Sequence, residues 1–219
     1  MLHVVVSVVL AFLMITPGIC SCKDDDAAVQ KCVIEYATGF ADPKYSSWDD
    51  LQLHCHLDGE LGKCVQRYLK KDSGPTLVSL AKAAVSYILF EKKIKVCDRF
   101  PYKPLLKKLD KVCQTSQAKK DWKKKIERLN KIKMKPYYGH SHLFKCTSEL
   151  DRRCVREYAK RMRTDQNLCK NIPYKYQCLR NGYHGNCRSN AIRYILDIFP
   201  AEADKVLAKL CQSRQDVGV

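Results

Sequence analysis

Lys31-Cys32-Val33-Ile34-Glu35-Tyr36-Ala37 returns later in the chain as Arg153-Cys154-Val155-Arg156-Glu157-Tyr158-Ala159. Val29, Cys32, Val33, Tyr36 and Ala37 recur at intervals of three and four, as do Leu150, Cys154, Val155, Tyr158 and Met162. That period places each set on one face of a helix. A cysteine on the buried stripe of a helix stitches it to a neighbour. The reading that follows is an all-α fold: disulfide-stapled helical domains in two related copies.

A second block supports the duplication. Cys55-His56-Leu57-Asp58-Gly59-Glu60-Leu61-Gly62-Lys63-Cys64 is answered by Cys178-Leu179-Arg180-Asn181-Gly182-Tyr183-His184-Gly185-Asn186-Cys187, with glycines four and seven after the first cysteine in both. The separation is kept, at 23 residues from Cys32 to Cys55 and 24 from Cys154 to Cys178. Cys22 and Cys146 precede the first block, and Cys113 and Cys211 close the two units. Cys97 and Cys169 then have no counterparts, which still leaves six cysteines per half. Six cysteines allow 15 connectivities, so the pairing stays open. Each bridge should contribute roughly 2–4 kcal/mol by restricting the unfolded chain.

The first residues explain why the thiols should be oxidised. Val4 to Ile15 is apolar apart from Ser7, and Thr16-Pro17-Gly18 breaks the run before Gly18-Ile19-Cys20. A short apolar core with a small-residue exit reads as a signal peptide, residues 1–20. Losing Cys20 reduces thirteen cysteines to twelve, the even number that complete pairing requires in an exported chain. Zinc is the competing use of cysteine, but C-x-x-C is absent from the sequence. The expected organisation is a first copy over 21–115, a basic amphipathic linker helix over 116–139, and a second copy over 140–219.

Helices are expected elsewhere too. Leu77 to Cys97 is the longest apolar candidate, stopped by Gly74-Pro75 and capped by Thr76. Thr147-Ser148 are candidate caps for the helix that carries Cys154, and Asn190 to Cys211 is a last helix interrupted by Pro200. Gly59 and Gly182 are expected to end helices.

Charge is unevenly placed. The formal net charge is +17, yet Ser21 to Glu60 holds three basic and nine acidic residues, whereas Lys103 to Lys135 holds thirteen basic and three acidic. Lys119, Lys120, Lys123, Lys124, Lys125, Arg128 and Lys131 surround a narrow stripe of Trp122, Ile126 and Leu129. Clustered cations capture polyanions, and these seven are the candidate polyanion-binding residues. The implied partner is an extracellular protein, an anionic polysaccharide or an anionic membrane surface. Nucleic acid is set aside as a physiological partner of an exported chain. A plainer role for the same lysines is solubility, with Trp122 anchoring the helix.

Catalytic patterns are missing. The sequence has no G-x-S-x-G, H-E-x-x-H or G-x-G-x-x-G. His54-Cys55-His56 could chelate a metal if extended, and Asp58 beside it suggests acid–base chemistry. The second copy has Gln177-Cys178-Leu179 there, so surface histidines are expected, with no metal and no cofactor. His140-Ser141-His142 reads the same way. Tyrosines, including Tyr137-Tyr138 and Tyr174, are expected mainly to pack around the bridges.

The framework of Cys22 with Cys32, the Cys55–Cys64 block, and Cys97 and Cys113 resembles the cysteine-rich helical domains of unknown function in secreted proteins of nematodes and arachnids. The second copy repeats part of that framework, and Cys169 departs from it. The resemblance implies a secreted helical disulfide domain and supplies no catalytic residues. The expectation is a secreted, non-enzymatic binding protein acting through a basic surface. A membrane-active protein and a carrier of a small apolar ligand are the alternatives.

Overall fold

The computed structural model describes residues 25–97, 102–132, 141–185, 187 and 190–215. The expected signal peptide, Cys22, the Tyr137-Tyr138 loop and His140 lie outside these. Among the described residues there are eight helices and no strand: α1 Asp26–Gly39, α2 Asp50–Tyr68, α3 Pro75–Lys93, α4 Tyr102–Lys111, α5 Ser116–Lys131, α6 Ser141–Thr164, α7 Leu168–Gly185 and α8 Asn190–Gln215. None is long and apolar enough to cross a membrane.

Local chemistry sets the boundaries. Asp49 caps α2 by accepting from Leu51 N–H at 2.9 Å, and Thr115 caps α5 by accepting from Ala118 N–H at 3.2 Å. At α3 the cap is Gly74 rather than Thr76, and Pro75 takes the first helical position, where its missing N–H costs nothing. The Gly74 N–H instead donates to Asp25 Oδ2 at 3.0 Å, tying the starts of α1 and α3 together. Thr147 and Ser148 lie inside α6 rather than at its start, and Pro200 is absorbed within α8 without ending it. Gly59 sits in the middle of α2, so it does not terminate that helix. Gly182 lies in the last turn of α7, where a Cβ would collide with the Leu150 side chain of α6.

The core is built around α3. Every residue from Leu77 to Glu91 is buried, as befits a helix apolar on all sides. Along it lies α8, in the most extensive helix–helix contact of the molecule. The two halves do not bury separate cores. Val29, Val65 and Leu77 share one cluster with Tyr194, Ile198 and Val206; Phe90 shares another with Val155, Leu179 and Ile195. A third joins Tyr36, Ala37 and Phe40 of α1 to Tyr158, Ala159 and Met162 of α6. The linker helix α5 belongs to the first cluster through Trp122, Ile126 and Leu129.

The disulfides, by contrast, respect the halves. Cys32–Cys64 joins α1 to α2 and Cys55–Cys97 joins α2 to the end of the α3 segment. In the second half Cys154–Cys178 joins α6 to α7, Cys169–Cys211 joins α7 to α8, and Cys146–Cys187 closes α6 onto the end of α7. Cys113 is also disulfide-bonded. This pairing differs from the register that the glycines suggest for the second block. Cys55–Cys97 and Cys169–Cys211 both span 42 residues, and Cys32–Cys64 and Cys154–Cys178 make the same first-to-second-helix bridge. In the placing of its bridges the Cys55–Cys64 block compares with Cys169–Cys178 rather than with Cys178–Cys187. Cys169, Cys178 and Cys187 are evenly spaced by nine, so spacing alone fits either choice. Gly59 lies mid-helix and Gly182 at a helix end, so the two glycines do not occupy like positions. The first half also carries a longer α1–α2 connection, including the 3₁₀ turn Pro43–Tyr45.

Candidate functional site

The arrangement of α2 against α3, α6 and α7 brings a polar cluster to the seam between the halves. Residues two apart on a helix face different ways, so His54 and His56 part company. His56 turns outward to the Tyr45 hydroxyl at 2.8 Å. His54 is wholly buried, its Nε2 2.8 Å from Glu91 Oε1 on α3 and 3.2 Å from Asp58 Oδ2 one turn along α2. Opposite, Tyr87 of α3 donates its hydroxyl to Asp151 of α6 at 3.1 Å. Lys175 of α7 is 2% exposed, and its ammonium sits 3.9 Å from the Tyr87 ring centroid and 5.0 Å from that of Tyr158.

Burial dominates the electrostatics. It lowers the His54 pKa to about 3, against the opposing pull of Asp58. It raises Asp58 to about 6, Glu91 to about 7 and Asp151 to about 8, with the charge of Glu91 adding to the rise at Asp151 and Lys175 working against all three. Burial also raises the hydroxyls of Tyr36, Tyr87 and Tyr158. Near neutrality the imidazole is therefore uncharged, and protons are retained among the carboxyls. His54 Nδ1, Glu91 Oε2 and Asp151 Oδ2 have no hydrogen-bond partner among the described residues. Each such buried atom costs about 1–3 kcal/mol.

One edge of this cluster forms the floor of a cavity. Tyr36, Asp58, Tyr87 and Lys175 line it, and its walls are apolar, with Leu80 and Ala84 from α3 and Phe199, Ala203 and Val206 from α8. Its volume is about 80 Å³. The partly exposed lining residues, among them Val33, Ile172, Leu207 and Leu210, mark where it opens.

The chemistry available here is limited. The polar partners of His54 are Glu91 and Asp58, with the rings of Tyr87 and Tyr158 at its edge, so no hydroxyl or thiol nucleophile among the described residues is set against it. His54, Glu91 and Cys97 place ligand atoms within 4.8 Å of one another, but Cys97 is bonded to Cys55 and offers no thiolate.

The second region is the exposed face of α5. Of the seven basic residues expected to bind a polyanion, Lys119, Lys120, Lys123, Lys124, Arg128 and Lys131 are exposed and Lys125 is half-buried. Among the described residues Lys125 is the one of the seven with an acid within reach, Glu202 at 3.9 Å. The helix is held firmly. Tyr194 donates to the Lys125 carbonyl at 2.6 Å, and Lys93 Nζ donates to the carbonyls of Asn130 at 2.8 Å and Ile132 at 3.0 Å. Lys120, Lys124 and Lys131 run down the side opposite the buried stripe, spanning about 16 Å. A groove beside them adds exposed Arg193 of α8 to Arg128 and Lys131.

The seven basic residues were legible in sequence, but Arg193, Glu91, Asp151 and Lys175 were not singled out. Two signals existed. Asp151 stands three residues before Cys154, whereas apolar Val29 stands three before Cys32, and Glu91 ends a mostly apolar run. Fold and site together define a disulfide-stapled all-α protein with a polar seam. Compared with family models, curated proteins and solved structures, the chain matches none of them.

Proposed function

We propose that this is a secreted, non-enzymatic binding protein that engages an anionic polysaccharide through the outward face of α5, extended by Arg193. The observation that carries the reading is the row of exposed cations, six of which make no ion pair among the described residues, on a helix clamped to the core at its middle and its end. A rigid array needs little ordering when it meets a polyanion. The five disulfides among the described residues, and the bonded Cys113, suit an oxidising, extracellular setting. The same reading takes the two halves as copies of one three-helix unit, supported by the matching bridges, and keeps the nematode and arachnid resemblance as a proposal without residue roles.

Membrane insertion through this helix is disfavoured. Trp122, Ile126 and Leu129 are already buried in the protein and leave α5 no apolar face to offer a bilayer. The test is retention of the disulfide-intact protein on immobilised heparin at about physiological ionic strength. Changing Lys119, Lys120, Lys123 and Lys124 to Gln should abolish retention there. Retention unchanged by these substitutions would defeat the proposal, as would leakage from anionic vesicles with no affinity for heparin.

A further inference from the structure

The cavity lies apart from α5 and invites its own occupant. Lys175 is the feature that α5 binding leaves unused. Its ammonium is almost fully buried, faces two tyrosine rings, and makes no hydrogen bond or ion pair among the described residues. Aromatic faces stabilise a cation but accept none of its three N–H groups in a directed bond. Asp58, Glu91 and Asp151 attract it through space without accepting its N–H groups, and it lines a cavity whose other walls are mostly apolar, as small-molecule sites are.

We propose that the cavity binds a small amphipathic carboxylate, its head on the Lys175 ammonium and its apolar body between α3 and α8. The body would run past Leu80, Ala84, Phe199 and Val206, side chains already lining that space. An amine head would set a second cation beside Lys175, and a neutral head would leave the ammonium unpaired. A carboxylate supplies the missing acceptors as a charge-assisted pair.

Asp58 stands on the same floor, its Oδ2 3.2 Å from His54 Nε2. The titratable groups facing this end are Tyr36 from α1, His54 and Asp58 from α2, Tyr87 and Glu91 from α3, Asp151 and Tyr158 from α6, and Lys175 from α7. The α8 wall adds Phe199, Ala203 and Val206, which do not titrate. An arriving carboxylate disfavours ionised Asp58, and Asp58, raised to about 6 by burial, answers by taking up a proton. Binding is then linked to proton uptake, and affinity rises as pH falls from 8 to 6, approaching tenfold per pH unit if one full proton is taken up.

The test needs no variant to begin: titration calorimetry of the full, disulfide-intact chain with octanoate, octylamine and 1-octanol at pH 8, 7 and 6. The expected result is one-to-one binding of octanoate, at least tenfold tighter than either other probe and strengthening towards pH 6. Preference for octylamine, equal binding of octanol, or no binding of octanoate by the folded protein would each overturn the proposal. Two variants place the site. Leu207→Trp, at the opening, should weaken octanoate, while neutralising Lys119, Lys120, Lys123 and Lys124 should leave it unchanged; the reverse pattern assigns the anion to α5 and sinks the cavity.

Discussion

Asp58 and Leu61 stand three and six residues after Cys55 on α2; the same steps from Cys169 on α7 reach Ile172 and Lys175. All four side chains line the cavity. Between them the halves have exchanged places: where one presents a charge, the other presents an aliphatic group. Val29 and Asp151, each three before the cysteine of its first helix, make the same exchange nearby. Elsewhere the correspondence is conservative. Tyr36 matches Tyr158, Ala37 matches Ala159, and Phe40 matches Met162, all in one apolar cluster. The halves present like apolar side chains where α1 meets α6 and unlike charges where α2 and α7 face the cavity. Divergence of charge at a seam gives two similar surfaces a preferred way to dock, because like surfaces would place like groups opposite one another.

The largest effect should come from erasing that asymmetry on one side. Lys175→Leu makes α7 resemble α2 and strips the buried carboxyls of their nearby cation. Loss of one member of a buried ionic group costs about 3–5 kcal/mol, and here the loss should shrink towards pH 6 as Asp58 and Glu91 take up protons. Adding Asp58→Ile, which makes α2 resemble α7, should restore much of the stability, since apolar replacement of a whole buried group is often neutral. Chemical denaturation of the two single variants and the double variant measures the coupling. Strictly additive losses would show that Asp58 and Lys175 do not act together.

A smaller effect is expected from pH. Asp58, Glu91 and Asp151 hold their protons more tightly folded than unfolded, with ordinary values of 3.8, 4.5 and 3.8 displaced to about 6, 7 and 8. The folded chain is thus the more protonated between about pH 4 and 8, and stability from these groups declines as pH rises through that window. His54 acts oppositely between about pH 3 and 6.5, since its imidazole stays neutral when folded and charges when unfolded. Above pH 6.5 only the acids contribute, so from pH 6.5 to 8 the seam should lose about 1–3 kcal/mol. Asp151→Asn, which keeps an acceptor for Tyr87, should flatten a good part of that slope. Melting curves at pH 6.5, 7.25 and 8 decide it; an unchanged slope in the variant removes Asp151 from the account.

How much of this could be read in advance depended on range along the chain. Helix α3 was legible because Leu77 to Phe90 is continuously apolar, and the stripe of Trp122, Ile126 and Leu129 gave α5 and its docking face together. Those are signals of local period. The seam was not legible, because His54 meets Glu91 across 37 residues and Tyr87 meets Asp151 across 64. Nothing within a helical turn of Lys175 announces that it will be buried; that depends on α7 lying beside α3. Pairing of the bridges was hidden for a related reason. Equal nine-residue steps at Cys169, Cys178 and Cys187 leave two registers open, and only the meeting of α7 with α6 and α8 selects one.

The least effect on stability belongs to α5, which stands between the halves. Lys120 and Lys124 are exposed and make no ion pair among the described residues, so Lys120→Ala with Lys124→Ala should shift stability by no more than about 0.5 kcal/mol. Alanine's helix propensity offsets the little that is lost. The same pair should still lower the salt needed to release the protein from heparin, because exposed cations act on a partner through screened Coulomb attraction rather than through the fold. The seam and the linker therefore separate by readout: Lys175 moves stability and its pH profile, whereas Lys120 and Lys124 move salt-dependent binding alone. If the double alanine variant lost several kcal/mol, the lysines of α5 would be structural, and the division between a charged seam that holds the halves and a charged helix that meets a partner would fail.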